Sequence, residues 1–265
     1  MIQAGPSSSR LAALSLIASA LLAGPPAWAA RDEAALRACL RANASEDSLA
    51  QDIAITQTEA GGAIKRLSGR WYWRRGEPDQ QAMLKLAAPP DLAGASYLFL
   101  RRDGREEFYL YLPSVRKVRK VVGATVAQSL FGSGLSAFDL KFLFSGLSGG
   151  KFSYVGADKV GTRTGERWRY LPPADPNILY DRADLVIDDV WCLPLKAELF
   201  GGVPWKTLTV DPLSVKQVDG RWRAGRVMMQ DLREGSRSEI RLGNEETGQS
   251  LPSALFDPGR FYRQK

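Results

Sequence analysis

Residues 107–139 read EFYLYLPSVRKVRKVVGATVAQSLFGSGLSAFD. The run Phe108 to Leu112 is an apolar strand that stops at Pro113, which has no N–H for a sheet ladder and fixes its own φ. Arg116, Lys117, Arg119 and Lys120 follow, interleaved with Val115, Val118, Val121 and Val122. A loop of small residues comes next, FGSGLS, in which Gly132 and Gly134 give the backbone freedom. Phe138 and Asp139 close it.

Outward from this stretch, strand signals dominate. On the N-terminal side they predict strands at Asp52 to Thr58, Ile64 to Trp73, Ala82 to Leu86 and Ala95 to Arg101. Asp103-Gly104 is a hairpin signal into Glu106 to Leu112, and Arg116 to Val122 makes a sixth run. Residues Thr125 to Ser148 read as loop with helical turns. Strands then resume at Tyr154 to Val160, Arg167 to Leu171, Leu185 to Asp189, Leu195 to Phe200 and Trp205 to Val210. Ser214 to Val218 turns at Asp219-Gly220 into a single run, Trp222 to Gln230. Ser238 to Asn244 is the last strand, with a tail at Phe256 to Arg263. A short helix precedes them all, Ala34 to Ala44, with Leu36, Cys39, Leu40 and Asn43 at i, i+3, i+4 and i+7.

Many short strands separated by turn signals argue for an antiparallel sheet or barrel. Tyr97 and Phe99 alternate with Leu98 and Leu100, and Phe108, Leu110 and Leu112 with Tyr109 and Tyr111. A sheet with one wet face reads apolar and polar in turn. Two apolar faces mean that both sides are covered, by helices, by the protein's own chain or by lipid.

The order YLPxxRKVRKV and then FGSGLSxFDL is similar to the LolA-like outer-membrane lipoprotein-sorting proteins of Gram-negative bacteria. The resemblance rests on Tyr109-Leu110-Tyr111-Leu112-Pro113, Val118-Arg119-Lys120, Gly132-Ser133 and Asp139. Met83-Leu84-Lys85-Leu86, Pro89, Gly94-Ala95 and the tail from Ile240 to Phe261 also fit. The family loop commonly carries an Asp soon after Gly-Ser, where this chain has Gly134. The resemblance implies a mainly β fold, a half-open antiparallel β-barrel or strongly curved sheet with a few helices covering the concave face. It also implies a carrier of lipid or lipoprotein acyl chains, working with an inner-membrane exporter of the resistance-nodulation-division type. On this reading Leu98, Leu100, Leu110 and Leu112 line an apolar cavity. Phe131, Leu135 and Phe138 form a lid over its mouth; the alternative is that these three anchor the loop to the core.

Residues 1–29 read as a signal peptide. Arg10 is its positive region, Leu11 to Leu22 its apolar run, and Ala27-Trp28-Ala29 an A-x-A site cut between Ala29 and Ala30. The expected location is the periplasm, with residues 30–265 as one lipoprotein-sorting domain. Cys39 and Cys192 are the only cysteines. In an oxidising compartment an even pair suggests a disulfide; two buried free thiols are the alternative. The chain has 36 Lys and Arg against 29 Asp and Glu. This mild excess favours anionic headgroups or an acidic partner. Arg116, Lys117, Arg119 and Lys120 are either a solvated edge strand or a docking patch for a membrane surface. Export argues against nucleic acid as their partner.

The chain contains no histidine, which removes His-based acid–base catalysis, Ser-His-Asp triads and His metal sites. Two cysteines cannot make a zinc site of four thiolates. No Walker sequence occurs. Asp188-Asp189 and Glu106-Glu107 are neighbours on strands and so point to opposite faces. No cofactor, metal or catalytic residue is expected. The function expected is a non-enzymatic carrier. A sensor or interaction module of the same fold is the alternative, and a hydrolase with an unrecognised site the third.

Overall fold

The computed structural model describes residues 1, 31–43, 47–75, 80–103, 105–144, 147, 149–173 and 179–264. The expected signal peptide at 1–29, the cut between Ala29 and Ala30, and Gly104 of the hairpin signal lie outside these residues, Met1 excepted.

The chain opens with helix α1, Glu33–Ala42, capped by the Asp32 carboxylate, which accepts from the Ala35 N–H at 2.7 Å. The strands follow as β1 (Ser48–Thr58), β2 (Ile64–Arg75), β3 (Gln80–Ala88), β4 (Ser96–Arg102), β5 (Arg105–Leu112) and β6 (Lys117–Val121). Helix α2 (Ala137–Phe144) lies in the next connection. Then come β7 (Lys151–Val160), β8 (Arg163–Leu171), β9 (Arg182–Asp188), β10 (Pro194–Gly201), β11 (Val203–Val210), β12 (Lys216–Val218), β13 (Arg221–Arg223), β14 (Arg226–Asp231) and β15 (Ser236–Thr247).

Thirteen of these strands form one curved antiparallel sheet in the order β6-β5-β4-β3-β2-β1-β15-β14-β11-β10-β9-β8-β7. β6 and β7 are its two edges, so the sheet is open rather than a closed barrel. The chain enters at the middle with β1, meanders out to β6, and reappears at the opposite edge as β7. It then meanders back until β15 lies against β1. The connection 122–150 must therefore travel across a face of the sheet, which is why it is built of small and apolar residues.

The two faces carry separate cores. On the inner face Ile53, Ile55, Trp71, Leu84, Tyr97, Phe99 and Phe108 pack with Leu130, Leu135 and Leu140 from the crossing connection. On the outer face Met83, Leu98 and Leu100 pack against Leu255, Phe256 and Phe261 of the C-terminal segment, and Tyr111 stacks on Tyr262 with ring centroids 4.1 Å apart. The doubly apolar strands are thus covered on both sides by the chain itself.

The expected single run Trp222 to Gln230 is two elements. β13 pairs only with β12 in a separate hairpin, and β14 joins the main sheet. The break falls at Ala224-Gly225, where the Gly225 N–H turns to the Ser214 carbonyl at 3.1 Å. The β12–β13 hairpin turns at Asp219-Gly220, both at positive φ (50° and 73°), as a type I′ turn requires.

Candidate functional site

The inner face has two unlike ends. At one end it is plugged by the crossing connection. The Asp139 carboxylate, fully buried, accepts from Lys206 Nζ of β11 at 2.6 Å, from the Tyr180 hydroxyl at 2.6 Å, and from the Ser136 N–H and hydroxyl at 2.7 and 2.9 Å. Lys206 also donates to the Gly134 carbonyl at 3.2 Å and lies 3.6 Å from Asp231. Burial, reinforced by the Asp139 charge, pushes the Tyr180 hydroxyl far above its ordinary range, so it stays a donor. The Ser238 hydroxyl of β15 donates to the Ser133 carbonyl at 2.8 Å. Gly134 sits at φ 76°, and a Cβ there would come within 2.4 Å of the Ser238 hydroxyl. The loop is therefore clamped onto β11 and β15 by buried charge and close backbone approach.

At the other end the inner face is hollow. A cavity of about 300 Å³ is floored by Leu49, Trp73, Leu208, Val227, Ile240 and Leu242 of five strands and walled by Leu195 and Ala197 of β10. Leu40 of α1, Leu193 and Ala224 complete it from the mouth side. Its volume is at the small end of the roughly 300–1,000 Å³ usual for ligand sites.

Three elements meet at the mouth, and Asn43 at the end of α1 ties them together. Its side-chain N–H groups donate to the Trp191 and Cys192 carbonyls, and its Oδ1 accepts from the Trp222 N–H at 2.8 Å. Arg223 donates to the Asn43 carbonyl and is paired with Glu245 at 2.5 Å. The Trp191 and Trp222 rings lie 5.4 Å apart. Cys39 and Cys192 form a disulfide, Cα–Cα 5.3 Å, and Cys192 itself lines the cavity. The helix is thus bolted over the cavity covalently and latched beside the bolt. Leu36, at the same helical spacing, is fully buried beneath.

The residues expected to form the site are split by the fold. Leu98 and Leu100 face the outer side under the C-terminal segment, whereas Leu110 and Leu112 pack on the inner face. The reason is strand alternation: Tyr97 and Phe99 are opposite Leu110 and Phe108, so Leu98 and Leu100 point the other way. Leu135 is fully buried, and Phe131 and Phe138 are half-buried against the inner core. None of these seven lines the cavity. Arg116, Lys117, Arg119 and Lys120 are all exposed at the β6 edge. Lys117 and Arg119 stand opposite Leu112 and Leu110, and Lys120 opposite Tyr109, so charge projects from both faces of the edge. The Glu107 carboxylate beside Lys120 holds its ammonium above the usual lysine range.

The residues around the cavity carry weak signals in sequence. Trp73 reads as the aromatic end of a strand, and Asn43 as the tail of a helix. Only the i, i+3, i+4, i+7 spacing of Leu36, Cys39, Leu40 and Asn43 marks that helix face as one that covers something. A larger, open hollow of about 760 Å³ is rimmed by Asp52, Arg70 and Lys85. Its Arg70 is paired with both Asp52 and Glu246 at 2.7 Å, so it offers charge already matched rather than an apolar space. Among the described residues no group of three His, Cys, Asp or Glu side chains is placed to hold a metal ion.

A family model described as "Uncharacterized protein" matches residues 78–263. No curated protein matches the chain. Solved structures do. A DUF1329 family protein from Desulfovibrio piger is similar at a TM-score of 0.76 and 21% identity, over 84% of this chain and 94% of that one. A putative outer membrane lipoprotein-sorting protein domain from Vibrio parahaemolyticus is similar at 0.76 and 20%, over 86% and 97%. A LolA superfamily protein from Nitrosomonas europaea is similar at 0.66 and 17%, over 84% and 97%. The chain belongs to the family that the matching model describes, and its fold is the LolA-like fold of the outer-membrane lipoprotein-sorting proteins.

Proposed function

We propose that the protein is a non-enzymatic periplasmic carrier that holds an acyl chain of a lipid or lipoprotein in the cavity beneath α1 and moves it between the membranes of the envelope. The observation that carries this reading is the cavity itself, an apolar hollow on the inner face of an open sheet of LolA-like fold. Each buried methylene of a cargo chain contributes about 0.8 kcal/mol, so a lining of Leu, Val, Ile and Ala needs few polar contacts. Leu110, Leu112, Phe131, Leu135 and Phe138 serve the site indirectly on this reading: they fill the rest of the inner face and leave the hollow only at the α1 end.

The same proposal assigns the β6 edge to the membrane. Four basic side chains project there, flanked by Val115 and Val122, 44% and 62% exposed. That pairing of cations with apolar tips suits an anionic bilayer surface. An inner-membrane exporter of the resistance-nodulation-division type, which the family resemblance implies, is the partner we propose to exchange cargo with it.

The test is native mass spectrometry of protein purified from the periplasm. A co-purifying lipid or acylated species is expected, on a polypeptide that begins at Ala30. Protein recovered there without any bound species would favour the sensor module over the carrier.

A further inference from the structure

One wall of the cavity carries polar groups that find no partner among the described residues. Trp73 is 4% exposed, and its buried indole N–H has no acceptor among them. Arg75, two residues further along β2 and on the same face, lays its guanidinium 5.5 Å from the Trp73 ring centroid. It has no carboxylate partner among the described residues. Gln51 of β1, 5% exposed, lines the same wall and makes no side-chain hydrogen bond among them. Buried donors are nearly always paired, because an unmet one forfeits its hydration.

The other charged and amide side chains around the cavity are already matched. Arg223 is paired with Glu245, Lys196 with Glu198 at 2.7 Å, and Asn43 is spent on the latch. Arg75 is therefore the one cation of the lining, among the described residues, without a counter-charge. A guanidinium held against an aromatic face beside a low-dielectric hollow selects an oxyanion, which it can bind through two N–H groups at once.

We propose that the cavity selects a single-chain amphiphile with an anionic head. Its acyl chain fills the apolar hollow, and its carboxylate or phosphate sits on Arg75, with the Gln51 side-chain amide beside it for its remaining oxygens. This rests on the carrier reading and adds the class of head group to it.

The experiment is calorimetric titration of the delipidated mature protein with dodecanoate, dodecyl phosphate, methyl dodecanoate and dodecanol. The two anions are expected to bind about tenfold tighter than the two neutral probes, the scale of one charge-assisted hydrogen bond. The tighter of the two anions assigns a fatty-acid or a phospholipid head. Arg75→Gln should abolish the preference while leaving the neutral probes within about threefold of their original affinity. Arg75→Lys should keep part of it. Equal affinity for anionic and neutral probes in the unaltered protein overturns the inference and leaves the carrier reading standing. So does a preference that survives Arg75→Gln. Absence of binding by all four probes overturns both.

Discussion

Replacing Lys206 with Met removes the one cation from a buried cluster that also holds Asp139 and Asp231. Lys206 and both carboxylates are at most 5% exposed, and the Lys206 ammonium lies 2.6 Å from one and 3.6 Å from the other. An exposed ion pair contributes at most about 1 kcal/mol. Removing one partner of a buried pair costs about 3–5 kcal/mol, because the orphaned charge stays desolvated. Asp139 keeps its bonds from Ser136 and Tyr180, which sets the expectation at the lower part of that range. For a domain of this size each kcal/mol moves the melting temperature by about 2–4 °C, so a cost of about 3 kcal/mol corresponds to a fall of about 6–12 °C. Differential scanning fluorimetry of both proteins at neutral pH measures this. A deficit under about 1 kcal/mol would refute the argument that the crossing connection is held by buried charge.

Reduction of the Cys39–Cys192 disulfide, which closes a loop of 153 residues, should cost about 5 kcal/mol in the chain-entropy account. Thiol labelling of the unfolded, unreduced protein should find no free cysteine, and two labelled thiols would reject the bond. Leu135→Asp places a charge at a fully buried site and should destabilise by on the order of 4 kcal/mol; an unchanged melting temperature would return Leu135 to the role of a mobile lid. Lys117→Gln with Arg119→Gln should weaken binding to phosphatidylglycerol vesicles by about 2 kcal/mol, roughly thirtyfold, at low salt. Unaltered vesicle co-sedimentation removes the β6 edge from the membrane proposal.

What was legible in the sequence was local. Period-two alternation and Asp-Gly turns mark hairpins because both are set by neighbouring residues, and Pro113 ends β5 because it cannot donate to the ladder. The double apolar character of β4 and β5 correctly indicates that both faces are covered. What covers them was not legible, since Phe256 and Phe261 meet Leu98 and Leu100 across more than half the chain. Asp139 is noticeable in the sequence only as the close of a small-residue loop. Its meaning depends on Lys206, 67 residues away, and no periodicity links the two. The cavity is harder still. It is the space left where α1, the loop after β9 and the β12–β13 hairpin fail to fill a curved face, and no single residue encodes it. The break between β13 and β14 is not legible locally, because it depends on the Gly225 N–H turning to the Ser214 carbonyl, a partner outside the run Trp222 to Gln230.

The position of β1 beside β15 has a kinetic consequence. Almost every other pairing in the sheet joins strands that follow one another closely, so each half can form from local hairpins. Along the β1–β15 seam, from Leu49 with Thr247 to Thr58 with Arg237, the partners are roughly 180–200 residues apart, and closing so long a loop is the slow, entropically costly step of such a topology. The cavity lining draws Leu49 and Gln51 from one side of this seam and Ile240 and Leu242 from the other. No half-formed sheet possesses it. On the proposed carrier reading, a cargo molecule bound there would recognise only the fully joined chain, and its binding energy would act as linkage on that last event, slowing the seam's reopening. Loaded and empty protein should differ most in their unfolding rates, with the rates of hairpin formation left alone.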